Sequence, residues 1–290
     1  MEYYSLNNYL KNKFQEKVYK ITLDAGFTCP NRDGSVSSKG CIFCDDGGSF
    51  SQAHSRFLTI SEQIEAGIKS QNERFGANKF MAYFQAFTNT YKPVCELEKL
   101  YKEALKNPKI VGISIGTRPD CVDSEKLDLI ASFLPKYETW VEYGMQTIHD
   151  KSLEWMNRGH DFATFEKAYF ETKKRGIKVC AHVILGLPTE DKNDMLATAK
   201  KLAELKVDGV KFHALCVMQN TPLEKIYNDG GLKLLTEDEY VDIVCDFIKI
   251  LPKDTIIHRV CGNGYSKTMV APLWLNQKWQ THNKINEKLS

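Results

Sequence analysis

Thr22-Leu23-Asp24-Ala25-Gly26-Phe27-Thr28-Cys29-Pro30-Asn31-Arg32-Asp33-Gly34, followed by Cys41-Ile42-Phe43-Cys44, sets three thiols in one loop behind an apolar, β-branched run. That run, residues 19–23, reads as a strand. Outward from it, similar runs at 80–85, 111–115, 140–143, 179–185 and 210–215 alternate with segments of helical period, and 256–260 adds a seventh. The alternation predicts repeated βα units around a parallel sheet. Thr59-Ile60-Ser61-Glu62 and Thr236-Glu237-Asp238-Glu239 read as capping boxes that start two of the helices. After the second box, Val241, Val244, Cys245, Ile248 and Leu251 recur at helical spacing as a core stripe.

A chain of 290 residues with 42% hydrophobic content can bury one large core. No apolar run approaches the length of a membrane span, and the first residues lack the plan of a secretory signal, so a cytoplasmic protein is expected. Nine cysteines scattered through a long chain argue for reduced thiols. Cys95, Cys121, Cys180, Cys216, Cys245 and Cys261 stand singly and read as small hydrophobes. The net charge of +2 does not mark a nucleic-acid binder, although Lys11, Lys13, Lys17 and Lys20 near one end and Lys267, Lys278, Lys284 and Lys288 near the other make basic segments.

In an α/β barrel the loops at the carboxyl ends of strands form the active face, which gives Cys29, Cys41 and Cys44 a chemical position. Three thiolates can hold three irons of a cubane cluster and leave the fourth iron open. The same thiols can hold zinc with His54 or Asp45 as a fourth ligand, or be unrelated buried cysteines.

The loop and three further blocks resemble the radical S-adenosylmethionine (SAM) superfamily, in particular the YhcC/YtqA-type family related to the radical SAM part of the Elongator catalytic subunit. The blocks are Leu23 to Asn31, Tyr83 to Tyr91, Gly116-Thr117-Arg118-Pro119-Asp120 and Gly186-Leu187-Pro188-Thr189-Glu190. The resemblance implies an α/β fold, a partial (β/α)6 TIM-like barrel over residues 19–260, with residues 1–18 and 261–290 as extensions. It also implies a [4Fe–4S] cluster on Cys29, Cys41 and Cys44, and SAM held by the open iron.

Gln85, Thr88, Asn89 and Thr90 then stand where the methionine amino group is bound, offering oxygen acceptors to an ammonium. A polar turn is the plainer alternative for them. Thr117 is placed with these cofactor-facing residues, while Gly116 replaces an acidic residue expected on ribose. Gln146 and Arg158 are similar in spacing to the cofactor-binding pair of oxygen-independent coproporphyrinogen oxidases, and a guanidinium there can grip a carboxylate. His182 and Leu187 lie in the segment that follows adenosine. Arg118 and Asp120 are candidates for the substrate mouth or for capping the next helix, and Lys211, His213, His258 and Arg259 for inward-facing substrate contacts.

The implied activity is remodelling of the side chain at carbon 5 of the transfer-RNA wobble uridine, from carboxymethylaminomethyl to aminomethyl, with flavodoxin or ferredoxin as electron donor. Two other functions fit the residues. One is the same radical chemistry on a small metabolite or porphyrin precursor. The other is a non-catalytic, metal-stabilised RNA-binding module that stacks bases on Phe43, Phe50 and Phe57.

Overall fold

The computed structural model describes residues 3–45, 58–262 and 268–290. His54, Phe50, Phe57 and Lys267 lie outside them. The chain opens with helix α1 (Leu6–Phe14) and strand β1 (Val18–Leu23), then alternates α2 (Ile60–Phe75), β2 (Lys79–Phe84), α3 (Val94–Ala104), β3 (Ile110–Thr117), α4 (Ser124–Ala131) and β4 (Glu138–Gln146). It continues through α5 (Asp150–Trp155), α6 (Phe162–Lys174), β5 (Lys178–Leu185), α7 (Lys192–Leu205), β6 (Gly209–Ala214), β7 (Val217–Met218), α8 (Pro222–Asn228), α9 (Glu237–Ile250), β8 (Ile256–Arg259), β9 (Met269–Ala271) and α10 (Lys278–Leu289).

Seven strands form one sheet in the order β1-β2-β3-β4-β5-β6-β8, all parallel, curled into a half-barrel. The seventh run of the sequence, 256–260, enters the sheet as β8, which pairs with β6 through Gly209 to Ile256. Parallel strands covered on both sides bury nearly every residue, as β4 does along its whole length. Both capping boxes form: Thr59 and Thr236 accept from the amides of Glu62 and Glu239, whose carboxylates reach back. The α9 stripe is buried as expected, with Cys245 and Val244 fully enclosed.

The two ends of the chain are tied to the barrel. Ser5 caps α1, and Leu6 and Leu10 pack with Val18, Met81, Trp140, Cys180 and Ile256. Those residues open their strands, so α1 closes the amino-terminal end of the bore. At the other end, β9 pairs antiparallel with β7, and α10 lies on α9, buried through Thr281, Ile285 and Leu289.

Candidate active site

The loop leaving β1 is pinned at its root. Gln63 of α2 accepts from the Asp24 amide at 2.9 Å and donates to the Asp24 carbonyl at 2.8 Å. Further on, Gly40 donates to the Asn31 carbonyl at 2.7 Å, and Asn157 Nδ2 donates to the Gly40 carbonyl at 2.6 Å. The backbone at Ile42 then bridges two distant elements, donating to the Met156 carbonyl and accepting from the Leu223 amide, both at 3.0 Å. Ile42 and Phe43 pack against the apolar cluster of Leu153, Met156, Leu187 and Leu223.

Donors surround the thiols. Asn31 Nδ2 reaches Cys41 Sγ at 3.4 Å, Arg158 Nη1 reaches the same sulfur at 3.5 Å, and Arg32 Nη1 reaches Cys44 Sγ at 3.5 Å. Burial, with Cys41 beside it, pushes the Cys44 thiol up to about 12. Arg158 is buried and spends two further donors on the Gly144 carbonyl, at 3.2 and 2.6 Å. It sits between Asn157 and Gly159, which both take positive φ, 53° and 76°. Gln146 closes β4 at φ 75°, past an irregularity in the pairing with β5, and its amide lies against the same glycine.

A second polar layer fills the bore below this face. Its hub is Glu142 of β4, fully buried, which accepts from Lys20, from Ser114 Oγ at 2.6 Å, and from Lys211 Nζ at 2.9 Å. His182 Nε2 lies 2.8 Å from it and His258 Nδ1 3.5 Å. Burial works to raise the Glu142 carboxyl, but Lys20 and Lys211 hold it well below the usual range. Burial lowers Lys211 to about 8 against the pull of Glu142, and lowers His182 to about 3 and His258 to about 4, so these imidazoles are neutral at pH 7. Tyr83 Oη accepts from the Lys211 ammonium at 2.7 Å. Arg259 Nη2 meets His213 Nδ1 at 2.8 Å.

Glu142, Cys180 and His258 bring three ligand atoms within 4.8 Å of one another. Two ammonium groups already occupy both oxygens of Glu142, and each would oppose a cation there by several kcal/mol, about 4 per unit charge at 4 Å and an effective dielectric near 20. The layer is an ion-paired plug and not a metal site.

The other sequence-derived candidates take these places. The Thr90 and Thr117 hydroxyls meet at 2.6 Å, and Thr90 also donates to the Cys121 carbonyl, so both lock the turn after β3. Asn89 donates from Nδ2 to the Gly116 carbonyl at 2.7 Å and leaves Oδ1 buried without a partner. The Thr88 amide donates to the Thr28 carbonyl, and the Gln85 amide to Leu23, joining the β2 turn to the cysteine loop. Arg118 stands at the N-cap of the short 3-10 turn Pro119–Cys121 without a side-chain capping bond, and its guanidinium grips Asp120 through two bonds of 2.8 and 2.7 Å. Glu142 and Lys20 are the residues that sequence reasoning passed over. A single acid inside an apolar run reads as a strand end, and its partners come from β1, β3, β5, β6 and β8.

Residues 29–202 match the radical SAM superfamily and residues 207–290 its C-terminal domain. Over 287 residues, 99% of this chain and 89% of the relative, the sequence is 41% identical to YtqA of Bacillus subtilis. The chain belongs to the radical SAM superfamily. A segment of 149 residues, half of this chain, is 33% identical to the tRNA uridine(34) acetyltransferase of Methanocaldococcus jannaschii, covering 27% of that protein. The fold is similar to the archaeal Methanocaldococcus infernus Elp3, with a TM-score of 0.68 at 18% identity over 93% of this chain and 63% of the other.

As a radical SAM enzyme the protein uses a [4Fe–4S] cluster and SAM, and the non-catalytic alternative falls. The donor set at the cysteine loop fits the cluster. Three thiols share one loop, and Asn31, Arg32 and Arg158 direct donors at two of the sulfurs, as suits thiolates that carry negative charge. Around the loop, Asn31 Oδ1, Arg118 Nη1 and His160 Nε2 are buried without partners. Orphaned polar atoms of this kind mark a place where a polar group is to be received. Among the described residues no helix is long and apolar enough to cross a membrane.

Proposed function

We propose that the enzyme remodels the carbon-5 side chain of the transfer-RNA wobble uridine, taking carboxymethylaminomethyluridine to aminomethyluridine. The observation that carries this reading is the likeness of half the chain to a relative named for uridine 34 of tRNA. Cys29, Cys41 and Cys44 hold the cluster, and the bound pair of cofactors supplies a 5′-deoxyadenosyl radical. Arg158 and Gln146 receive the methionine carboxylate beside Cys41. Asn89 Oδ1 is placed for the amino group, with Gln85 and Thr88 shaping the backbone around it and Thr90 and Thr117 bracing the turn. His182 and Leu187 flank adenosine. The mouth of the bore, above the polar layer, takes the uridine side chain, which reaches it from an anticodon base already accessible at small unstacking cost.

One observation favours a small metabolite instead. Lysines of the basic ends are ion-paired: Lys13 with Glu138, Lys20 with Glu142, Lys284 with Glu237 and Asp238, and Lys288 with Asp242. They do not stand as a set of bare phosphate contacts.

Anaerobically reduced holoenzyme, incubated with SAM and carboxymethylaminomethyl-containing tRNA, separates the two readings. Loss of that nucleoside, gain of aminomethyluridine and a matching yield of 5′-deoxyadenosine are expected. Deoxyadenosine without any nucleoside change would reject the tRNA substrate and leave the radical class standing.

A further inference from the structure

The charges of the bore do not balance. Among the described residues, Lys20 and Lys211 already occupy both oxygens of the buried carboxylate Glu142, and Arg259 stands in register beside Lys211. His182, His213 and His258 are held neutral, each chiefly by burial. Arg259 is therefore the surplus cation. It has no ion pair with a described residue; its hydrogen bonds go to the His213 ring, and its Nε is buried without a partner.

The position of Arg259 is also informative. It ends β8, in register with Lys211 of β6, which in turn is in register with His182 of β5. His213 lies two residues farther along β6, toward the carboxyl face that carries the cysteine loop, and its ring centre lies 5.1 Å from that of His182, the two planes tilted by 34°. Arg259 and His213 thus form the upper edge of the plug, facing what enters from the cluster side. A neutral imidazole that accepts from one arm of a guanidinium fixes its plane and leaves the other donors free for a planar, two-oxygen anion.

We propose that Arg259, oriented by His213, is a specificity-determining residue that anchors a carboxylate on the substrate side chain. The inference rests on the mouth of the bore, above the plug, being the substrate chamber. Under the function proposed above, the carboxylate is that of the carboxymethyl group about to be removed, which would let the enzyme distinguish that side chain from its own product, where the carboxylate is gone.

The test uses the reconstituted, unreduced holoenzyme saturated with SAM, so that the open iron and Arg158 are occupied. Trifluoroacetate serves as the carboxylate probe, followed by fluorine NMR line broadening, with inorganic phosphate as a competitor. Wild type is expected to broaden the probe signal, Arg259→Gln to lose the effect, and Arg259→Lys to keep a weaker one, while cluster absorbance stays intact in both variants. In turnover with carboxymethylaminomethyl tRNA, Arg259→Gln is expected to raise KM about 30-fold. Probe binding lost in Arg259→Gln while wild type turns over no tRNA supports the carboxylate anchor and rejects the tRNA reading. Equal probe binding by wild type and Arg259→Gln overturns the anchor whatever happens to tRNA, as does equal binding by Arg259→Lys should the glutamine variant fail to hold its cluster. Displacement by phosphate at concentrations far below those of the probe would overturn the carboxylate assignment.

Discussion

Arg158 is a buried guanidinium with no carboxylate partner among the described residues, fixed by the Gly144 carbonyl and directed at Cys41. Such a group is costly unless something anionic completes it. Arg158→Ala should weaken SAM binding to the reconstituted protein by about 2–5 kcal/mol, while the visible absorbance of the cluster persists; unchanged affinity in isothermal titration would remove Arg158 from the site. Cys29→Ala, Cys41→Ala and Cys44→Ala should each abolish that absorbance, whereas Cys95→Ala, at an exposed position on α3, should leave it unchanged. The three thiols were legible in the sequence as one group because they share a short stretch of chain, and Arg158 was read from its spacing to Gln146, 12 positions before it. Glu142 was not, since only the curled sheet shows that Lys20, 122 positions away, ends on its oxygen.

At the scale of single elements, β4 departs from regular pairing between Tyr143 and Gln146, and Gly144 sits inside that departure. A Cβ on Gly144 would fall 2.5 Å from Arg158 Nη2 and 2.9 Å from Gln146 Nε2. Both are the far ends of flexible side chains, so Gly144→Ala should fold with a nearly unchanged thermal midpoint and still lose SAM affinity; a wild-type titration curve would contradict the assignment of this bend to the cofactor. Gly67 of α2 tests packing instead, because a Cβ there would lie 2.5 Å from Ile21 Cγ2 of β1. Overpacking costs about 1–3 kcal/mol, against about 1 kcal/mol gained from replacing glycine in a helix. Gly67→Ala should therefore be neutral to about 2 kcal/mol destabilised in urea unfolding. The strands themselves were readable, since strands buried on both faces appear as apolar runs. Helix α1 was passed over as an extension: its buried face is only Leu6 and Leu10, too thin a stripe to register as an element.

For the whole molecule the plug in the bore sets the response to acid. His182 and His258 are held at about 3 and about 4 in the fold, against about 6.5 in an unfolded chain. The unfolded state thus binds more protons through this window, so stability is present above pH 6.5 and falls as pH drops toward those folded values. Glu142, held low, adds to the loss below the ordinary carboxylate range. Denaturant midpoints should decline from pH 7 to pH 5 by up to about 2 kcal/mol per buried histidine, and a flat profile would show that the imidazoles are solvated. Glu142→Gln should cost about 3–5 kcal/mol by stranding Lys20 and Lys211 without their counter-charge. Finally, the Ile42 backbone is clasped between Met156 and Leu223, which fixes an order of events during synthesis. All three thiols leave the ribosome with the first 44 residues, but the clasp that gives their loop its shape closes only after residue 223 has emerged. Until then the three thiols ride on a stretch of chain that lacks these two backbone hydrogen bonds.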